Sequence, residues 1–310
     1  MKKTTRLREL IEQKDILVLP GAFSPWSAKI LEVAGFEACY MSGGHTSRHI
    51  YGLPDAGLVT MSEMIANAAY MVEATTIPLV ADADTGYGNA INVRRTVQAF
   101  IRAGVAGIHI EDQVSPKRCG FVAGKEIISM EEAVGKYRAA VDAKRELDED
   151  FVLIARTDAR GAPGGGMAEA IRRSNAYHEA GVDLIYFEGP QSVEEIREVR
   201  ASVPGPLMVT CTAIDPFPAV EELQSLGMAI AFFPIALGIA ANKAIWDFAV
   251  DFKQRGAIAE AELRGSMSGH PLANYHEFSG FPDLRRLEEK YLSADEVTRR
   301  YDNSIGYKPK

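Results

Sequence analysis

Short apolar runs, each stopping at polar or glycine residues, recur along the chain: ILVLPG (16–21), EACYMSGG (37–44), IPLVADAD (77–84), AGIHIED (106–112), FVLIARTD (151–158), DLIYFEG (183–189), PLMVTCT (206–212) and AIAFFP (229–234). Runs of this kind predict parallel strands buried on both faces. Between them lie segments with apolar residues at three- and four-residue spacing, such as SPWSAKILEVAG, NVRRTVQAFIRAG, SMEEAVGKYRAAVDAKREL, MAEAIRRSNAYHEAG and SVEEIREVRASV, several of them stopped by glycine. These predict helices. Strand then helix, repeated about eightfold over roughly 250 residues, predicts an α/β fold of the TIM (β/α)8 barrel type. A doubly wound open sheet is the alternative, but it usually needs fewer strands and a nucleotide fingerprint. GAPGGGM (161–167) lacks GxGxxG spacing and reads as a flexible loop. Residues 1–258 are assigned to the barrel. Residues 259–310, short helices joined by Gly and Pro, are assigned to a C-terminal arm of the same domain, of a kind that packs on a neighbouring subunit.

With 310 residues, 47% of them hydrophobic, the chain can bury a large core. A net charge of -8 offers no long-range attraction to nucleic acid or anionic membrane, so any anion site must be built locally. Cys39, Cys119 and Cys211 are widely spaced with no CxxC pair, which argues against a disulfide framework or structural zinc. A reducing cytoplasm is the expected setting. The opening MKKTTRLRELIEQKDILVLPG has no apolar signal core and no run approaches bilayer length, so a soluble, untargeted chain is expected.

In a TIM barrel the chemistry sits at the carboxyl ends of the strands. The residues closing the runs are Tyr40 and Ser42, Asp82 and Asp84, Glu111 and Asp112, Arg156 and Asp158, Glu188, and Thr210 and Thr212. So many converging carboxylates repel one another unless a cation neutralises them, and a bound metal is the economical answer. DADTGYG is no calcium loop, because Tyr87 and Val93 stand where an EF-hand needs Gly and Glu. Oxygen ligands alone suit Mg²⁺ or Mn²⁺. The alternative for Asp82 and Asp84 is ordinary strand-end capping. MSGGHTS offers small residues whose amides could cradle a carboxylate, with a plain tight turn as the alternative, and His45 beside it is a candidate substrate contact, with a solvated loop histidine as the commoner reading. Arg156 at the end of a buried strand requires acidic partners such as Glu188. Cys119 follows Lys117 and Arg118 and precedes Gly120 in a loop; two cationic neighbours are expected to favour its thiolate and make it an acid or base near neutral pH.

Taken together, YMSGG (40–44), GLPDAG (52–57), ADADTGYGNA (81–90), GIHIEDQVSPKRCG (107–120), IARTDAR (154–160) and the tail EFSGFPDLRRLEEKYL resemble the isocitrate lyase and phosphoenolpyruvate mutase superfamily. The nearest branch is that of the 2-methylisocitrate and 2,3-dimethylmalate lyases. The resemblance spans almost the whole chain and is more specific for superfamily than for substrate. It implies a barrel whose last helix is exchanged with a neighbouring subunit, usually in a homotetramer, and Mg²⁺ binding a 2-oxo acid or its enolate. It further implies that Asp84 binds the metal directly and Asp82 and Glu111 directly or through water. Ser42, Gly43 and Gly44 would hold a carboxylate with help from Arg156, and Cys119 would be the general acid. Tyr40 is the candidate for deprotonating a substrate hydroxyl. Lys117 and Arg118 join the catalytic set, and Gly120, Glu188, Thr210 and Thr212 the substrate-binding set.

The implied reaction is carbon–carbon cleavage of a 2-hydroxy dicarboxylate. Three departures bear on substrate: Phe121 follows KRCG where the lyases carry His, Thr210 replaces a frequent Asn, and Ile239 stands where 2-methylisocitrate lyases place an Arg. A substituted malate therefore fits better than a tricarboxylate. The competing readings are an oxaloacetate-type decarboxylase, a phosphonopyruvate or phosphoenolpyruvate mutase type of enzyme, and a non-catalytic barrel that binds a 2-oxo acid.

Overall fold

The computed structural model describes residues 1–302 and 304–309. Eight parallel strands close on themselves in sequence order: β1 Leu17–Ala22, β2 Cys39–Met41, β3 Leu79–Asp82, β4 Gly107–Glu111, β5 Val152–Thr157, β6 Leu184–Phe187, β7 Leu207–Thr210 and β8 Ile230–Phe233, with β8 pairing back onto β1. All eight predicted runs are strands, and the five quoted helical segments are helices, among them Pro25–Val33, Ala90–Arg102 and Met130–Leu147. GAPGGGM is the loop expected, but it is folded into turns: a short 3-10 helix, Ala159–Gly161, leads into it, and the Gly166 amide returns to the Ala159 carbonyl at 2.8 Å.

Each strand alternates its side chains between two cores, because successive residues of a strand point to opposite faces. Leu153 and Ala155 face the surrounding helices, whereas Ile154 packs in the barrel interior with Leu19, Tyr40, Val80, Tyr186, Met208 and Phe232. The N-terminal helix Lys3–Glu12 adds Leu7 and Leu10 to that inner core. Carrying the inward phase one step further along each strand reaches Asp82, Glu111, Arg156, Glu188 and Thr210. The register aligns them, with Asp82 opposite His109, Glu111 opposite Arg156, and Thr210 opposite Phe232. Asp112 has the opposite phase. It accepts hydrogen bonds from the Tyr177 hydroxyl (2.6 Å), the Thr157 hydroxyl (2.9 Å) and Arg173 (3.2 Å), and so belongs to the packing between strands and helices.

The chain divides into two compact units, Met1–Ala241 and Asn242–Lys310, with the helix Ala236–Arg255 spanning the boundary. The second unit is helical throughout its regular structure and keeps much of its apolar surface exposed, including Ile245, Trp246, Phe252, Leu284, Leu287 and Tyr291. No helix among the described residues is long and apolar enough to cross a membrane.

The closing seam of the barrel is tight. A Cβ placed on Gly21 of β1 would overlap the backbone carbonyl of Pro234, just past β8. Overpacking of this kind costs about 1–3 kcal/mol. Gly21→Ala should therefore lower the urea midpoint of unfolding without altering the m value. An unchanged midpoint would show that the seam yields freely.

Candidate active site

Where the inward-facing residues reach the carboxyl ends of the strands, the segment Pro116–Gly120 lies across the barrel mouth. It is tied down at several points. Gln113 accepts from the Arg118 amide and donates to the Arg118 carbonyl, both at 2.9 Å. The Cys119 amide donates to the Asp55 carbonyl at 3.2 Å. Lys117 is buried, with its Nζ 2.5 Å from Asp55 Oδ1 and 3.0 Å from Asp84 Oδ1. Gly120 presses its backbone on the Arg156 and Glu188 side chains so closely that a Cβ there would overlap both.

Beneath this segment lies a cavity of about 60 Å³ lined by Tyr40, Ser42, Gly44, Asp82, Cys119 and Arg156, with Tyr186, Glu188, Phe232 and Ile235 also on its wall. Arg156 is held by both Asp158 oxygens at 2.9 Å, lies 3.2 Å from Glu111 and 3.8 Å from Glu188, and stacks over the Tyr186 ring at 5.1 Å. Glu188 also accepts from the Thr210 hydroxyl at 2.9 Å. Tyr40 places its hydroxyl 2.5 Å from His109 Nε2 and 3.1 Å from Asp82 Oδ2. The Gly43 amide donates to that same carboxylate at 3.1 Å and the Asp84 amide to its other oxygen at 3.0 Å. Gly43 opens the helix Gly43–Tyr51, which Ser42 caps by accepting from the His45 amide at 3.3 Å. The small residues expected to cradle a carboxylate thus open a helix, and Gly43 is needed there because any side chain would meet Asp82.

The charges in this cluster compensate one another. Burial raises Asp84 and raises Glu111 well above the usual carboxylate range, with Lys117 and Arg156 opposing the rise on Glu111. Burial works the same way on Asp82, but His109, Lys117 and Arg156 outweigh it and hold that carboxyl low. Burial disfavours the charge on Lys117, yet Asp84, Glu111, Asp82 and Asp55 together keep it firmly cationic. Both Glu111 Oε atoms are buried without a hydrogen-bond partner. An orphaned carboxylate pair beside two more strand-end acids is a donor set of the hard-oxygen kind that suits Mg²⁺ or Mn²⁺. Among the described residues no three His, Cys, Asp or Glu groups converge into a ready-made cage. Mg²⁺ commonly takes one or two carboxylates and completes its shell with water and substrate.

Several expectations change. The Cys119 thiol is not activated toward thiolate: burial, the largest effect, raises it above the ordinary value of 9.0, with Asp55 adding and Arg156 and Lys117 only partly opposing. Tyr40 is held as a phenol by burial and by Asp82 beside it, which makes it a proton donor and not the base for a hydroxyl. The Arg118 side chain is exposed, reaching only the Lys117 carbonyl at 3.5 Å, and Thr212 is exposed in the turn after β7; neither lines the cavity. His45 is buried instead of solvated. Its Nε2 faces the Ile235 carbonyl at 3.2 Å, and burial, followed by His49 and Arg48, pushes its pKa down to about 4. Ile239, exposed on the helix Ala236–Arg255, does not line the cavity either. The sequence reading missed Asp55, His109, Tyr186 and Phe232. The inward phase of β4, β6 and β8 points to the last three, whereas Asp55 comes from an irregular segment with no periodic signal.

Residues 7–252 match the family model described as phosphoenolpyruvate phosphomutase. The 2,3-dimethylmalate lyase of Eubacterium barkeri is 40% identical over 95% of this chain and 100% of its own length. Among solved structures, an oxaloacetate acetylhydrolase in complex with the inhibitor 3,3-difluorooxalacetate superposes with a TM-score of 0.85 at 35% identity, over 93% of this chain and 97% of that one. A phosphonopyruvate hydrolase in complex with oxalate and Mg²⁺ superposes with a TM-score of 0.84 at 32% identity, over 94% and 100%. The closed barrel, the acids at its mouth and these likenesses agree: the chain belongs to the phosphoenolpyruvate mutase and isocitrate lyase superfamily and is an enzyme of its carbon–carbon lyase kind.

Proposed function

We propose that the protein is a Mg²⁺-dependent lyase that cleaves a substituted 2-hydroxy dicarboxylate of the malate type into a 2-oxo acid and a second carboxylate. The observation that supports this most is the protonated Cys119 thiol sharing one small cavity with Arg156, the capped helix N-terminus and Asp82. Asp84 would hold Mg²⁺ directly, and Asp82 and Glu111 directly or through water. When bound, the ion polarises the oxygens of the 2-oxo acid portion and offsets the surrounding carboxylates. Lys117 would have to release Asp84 to make room. Ser42 and Gly44 hold the carboxylate of that portion, Arg156 adds its charge, and the Tyr40 phenol donates to the neighbouring oxygen. The 2-hydroxyl gives its proton to the Glu188 carboxylate on the cavity wall as its C–O bond becomes the carbonyl; the electron pair of the breaking carbon–carbon bond passes to the departing fragment, whose carbon takes the proton from Cys119 Sγ.

The 2,3-dimethylmalate lyase likeness supports a substituted malate as substrate. So do the cations at the inner cavity: Lys117 and Arg156 are committed to Asp55, Asp84, Glu111 and Asp158, which leaves exposed Arg48 as the further one on the wall. Against a panel of substituted malates, 2-methylisocitrate, oxaloacetate and phosphonopyruvate, purified protein with Mg²⁺ should release a 2-oxo acid from the malates fastest. Asp84→Ala should lose both turnover and Mg²⁺-dependent oxalate binding. Pyruvate or oxalate formation from phosphonopyruvate or oxaloacetate alone would sink the proposal, and intact metal-dependent binding in the Asp84 variant would sink the metal assignment.

Cys119→Ser should lower kcat by about 10²–10⁴-fold while oxalate binding persists, since general acid catalysis typically contributes that much. An acid must carry its proton, so kcat/KM should hold at neutral pH and fall as pH rises through the thiol's value, above 9.0. A basic limb below pH 8 would contradict the half-buried Cys119 thiol as the acid.

The apolar surface of Asn242–Lys310 supports a homotetramer. Ile245 and Trp246 are 65% and 71% exposed side by side on a single helix, with Phe252 exposed further along it, an apolar face of the kind that marks contact with another chain. Sedimentation should give a tetramer, and Trp246→Asp a smaller species. A monomeric native protein would rule this out.

A further inference from the structure

Strands β6 and β7 bring three inward-facing side chains together at the barrel mouth. Tyr186 and Glu188 are two residues apart and share a face, and Thr210 ends the neighbouring strand, whose pairing sets Phe187 beside Val209. All three are buried. Tyr186 and Glu188 reach the inner cavity, whereas Thr210 does not line it. The Thr210 hydroxyl lies 2.9 Å from Glu188 Oε2 and is also in hydrogen-bond contact with the Tyr186 hydroxyl.

The protons of this chain can be assigned. A threonine hydroxyl has one proton to give, and an ionised carboxylate can only accept. The bond to the carboxylate is the stronger, so Thr210 donates to Glu188 and accepts from Tyr186. Tyr186 suits that part. Burial first, then Glu188, raise its phenol well above the ordinary value of 10.0 and keep the proton on oxygen. Its ring is set edge-on to Phe232 and His109, with centroids 5.3 and 5.6 Å away.

Glu188 is thereby tied through one oxygen. The other, Oε1, faces Gly120 and stands 3.8 Å from the Arg156 guanidinium, beyond hydrogen-bond distance. Arg156 commits Nε and Nη2 to Asp158 and turns Nη1 toward Glu111. A carboxylate so close to a guanidinium would shut into a direct pair if nothing restrained it. Thr210 supplies the restraint, and Tyr186 fixes Thr210. The hydroxyl expected to meet substrate instead serves the neighbouring acid.

We infer that Tyr186 and Thr210 form a one-way hydroxyl chain that holds Glu188 off Arg156 and leaves Oε1 as the oxygen that takes the substrate proton. Both are positioning residues, and Glu188 is the group that meets substrate. The proton Glu188 receives rests on the lyase reading; the restraint on its carboxylate does not.

The test joins crystallography to kinetics on the full chain with Mg²⁺. Thr210→Val keeps the β-branched shape and removes the donor, so Glu188 should swing into direct contact with Arg156 while oxalate still binds. On the malate that native protein cleaves fastest, kcat should fall about 10²-fold, the usual cost of a small misplacement at the reacting centre. Thr210→Ser, which restores the hydroxyl, should recover most of that rate. Tyr186→Phe should lower kcat by a smaller factor and cost nothing further in the Thr210→Val background, because the phenol acts only through Thr210. If Thr210→Val does not fold, the displacement of Glu188 is sought in Tyr186→Phe. An unmoved Glu188, or losses that add independently, overturns the chain. A displaced Glu188 in a protein whose native form cleaves no malate sinks the lyase reading and leaves the restraint standing.

Discussion

The site depends on one constraint: six carboxylates, Asp55, Asp82, Asp84, Glu111, Asp158 and Glu188, are gathered at the mouth of one barrel around the buried Lys117 and Arg156, with buried Lys125 adding its charge at Asp158. Lys117 serves Asp55 and Asp84 from the loop, and Arg156 serves Asp158, Glu111 and Glu188 from β5. Burying a charge is expensive unless it is paired and hydrogen-bonded, so these two side chains decide how the acids can stand. The Arg156 guanidinium can do this because its planar fork binds Asp158 through two nitrogens and still turns a third toward Glu111. Glu111 is where compensation runs short, with the Arg156 ion pair beside it but neither oxygen hydrogen-bonded. That shortfall is the feature a divalent cation would correct.

The same charges account for the loop. Lys117 is carried on the segment that also carries Cys119, so pairing Lys117 with Asp84 and Asp55 brings the thiol under the lid it helps to form. Burial then keeps the proton on sulfur, an effect opposite to that of two cations acting in water. The binding of the loop and the acidity of the thiol are thus two consequences of one ion-pair arrangement. A metal on Asp84 would compete with Lys117 for the same oxygens, which couples metal occupancy to the position of the acid.

Much of this was legible in the sequence because strand and barrel impose periodicity. The runs at 77–84 and 106–112 identify strands by apolar continuity, and the residues that end them identify the acids. What failed was of two kinds. Arg118 and Thr212 lie next to site residues in sequence, but in a loop and a turn adjacency does not set direction, and both side chains point to solvent. Asp55 and the pairing of Lys117 depend on two irregular segments meeting across the barrel, and no local pattern records that. The state of the thiol escapes the sequence for a related reason: sequence shows which charges are near Cys119 but not how much water has been removed from around it.

Phe121 follows from the same reasoning. In sequence it is the absence of a polar group beside the thiol. In the fold it is a wall shared by two cavities, the smaller one holding Cys119 and Arg156, the larger one lined by Val122, Ala123 and Ala213 together with Lys125, Arg160 and Gln191. A phenyl ring has no donor or acceptor to offer Glu188, so that stretch of wall is set by packing.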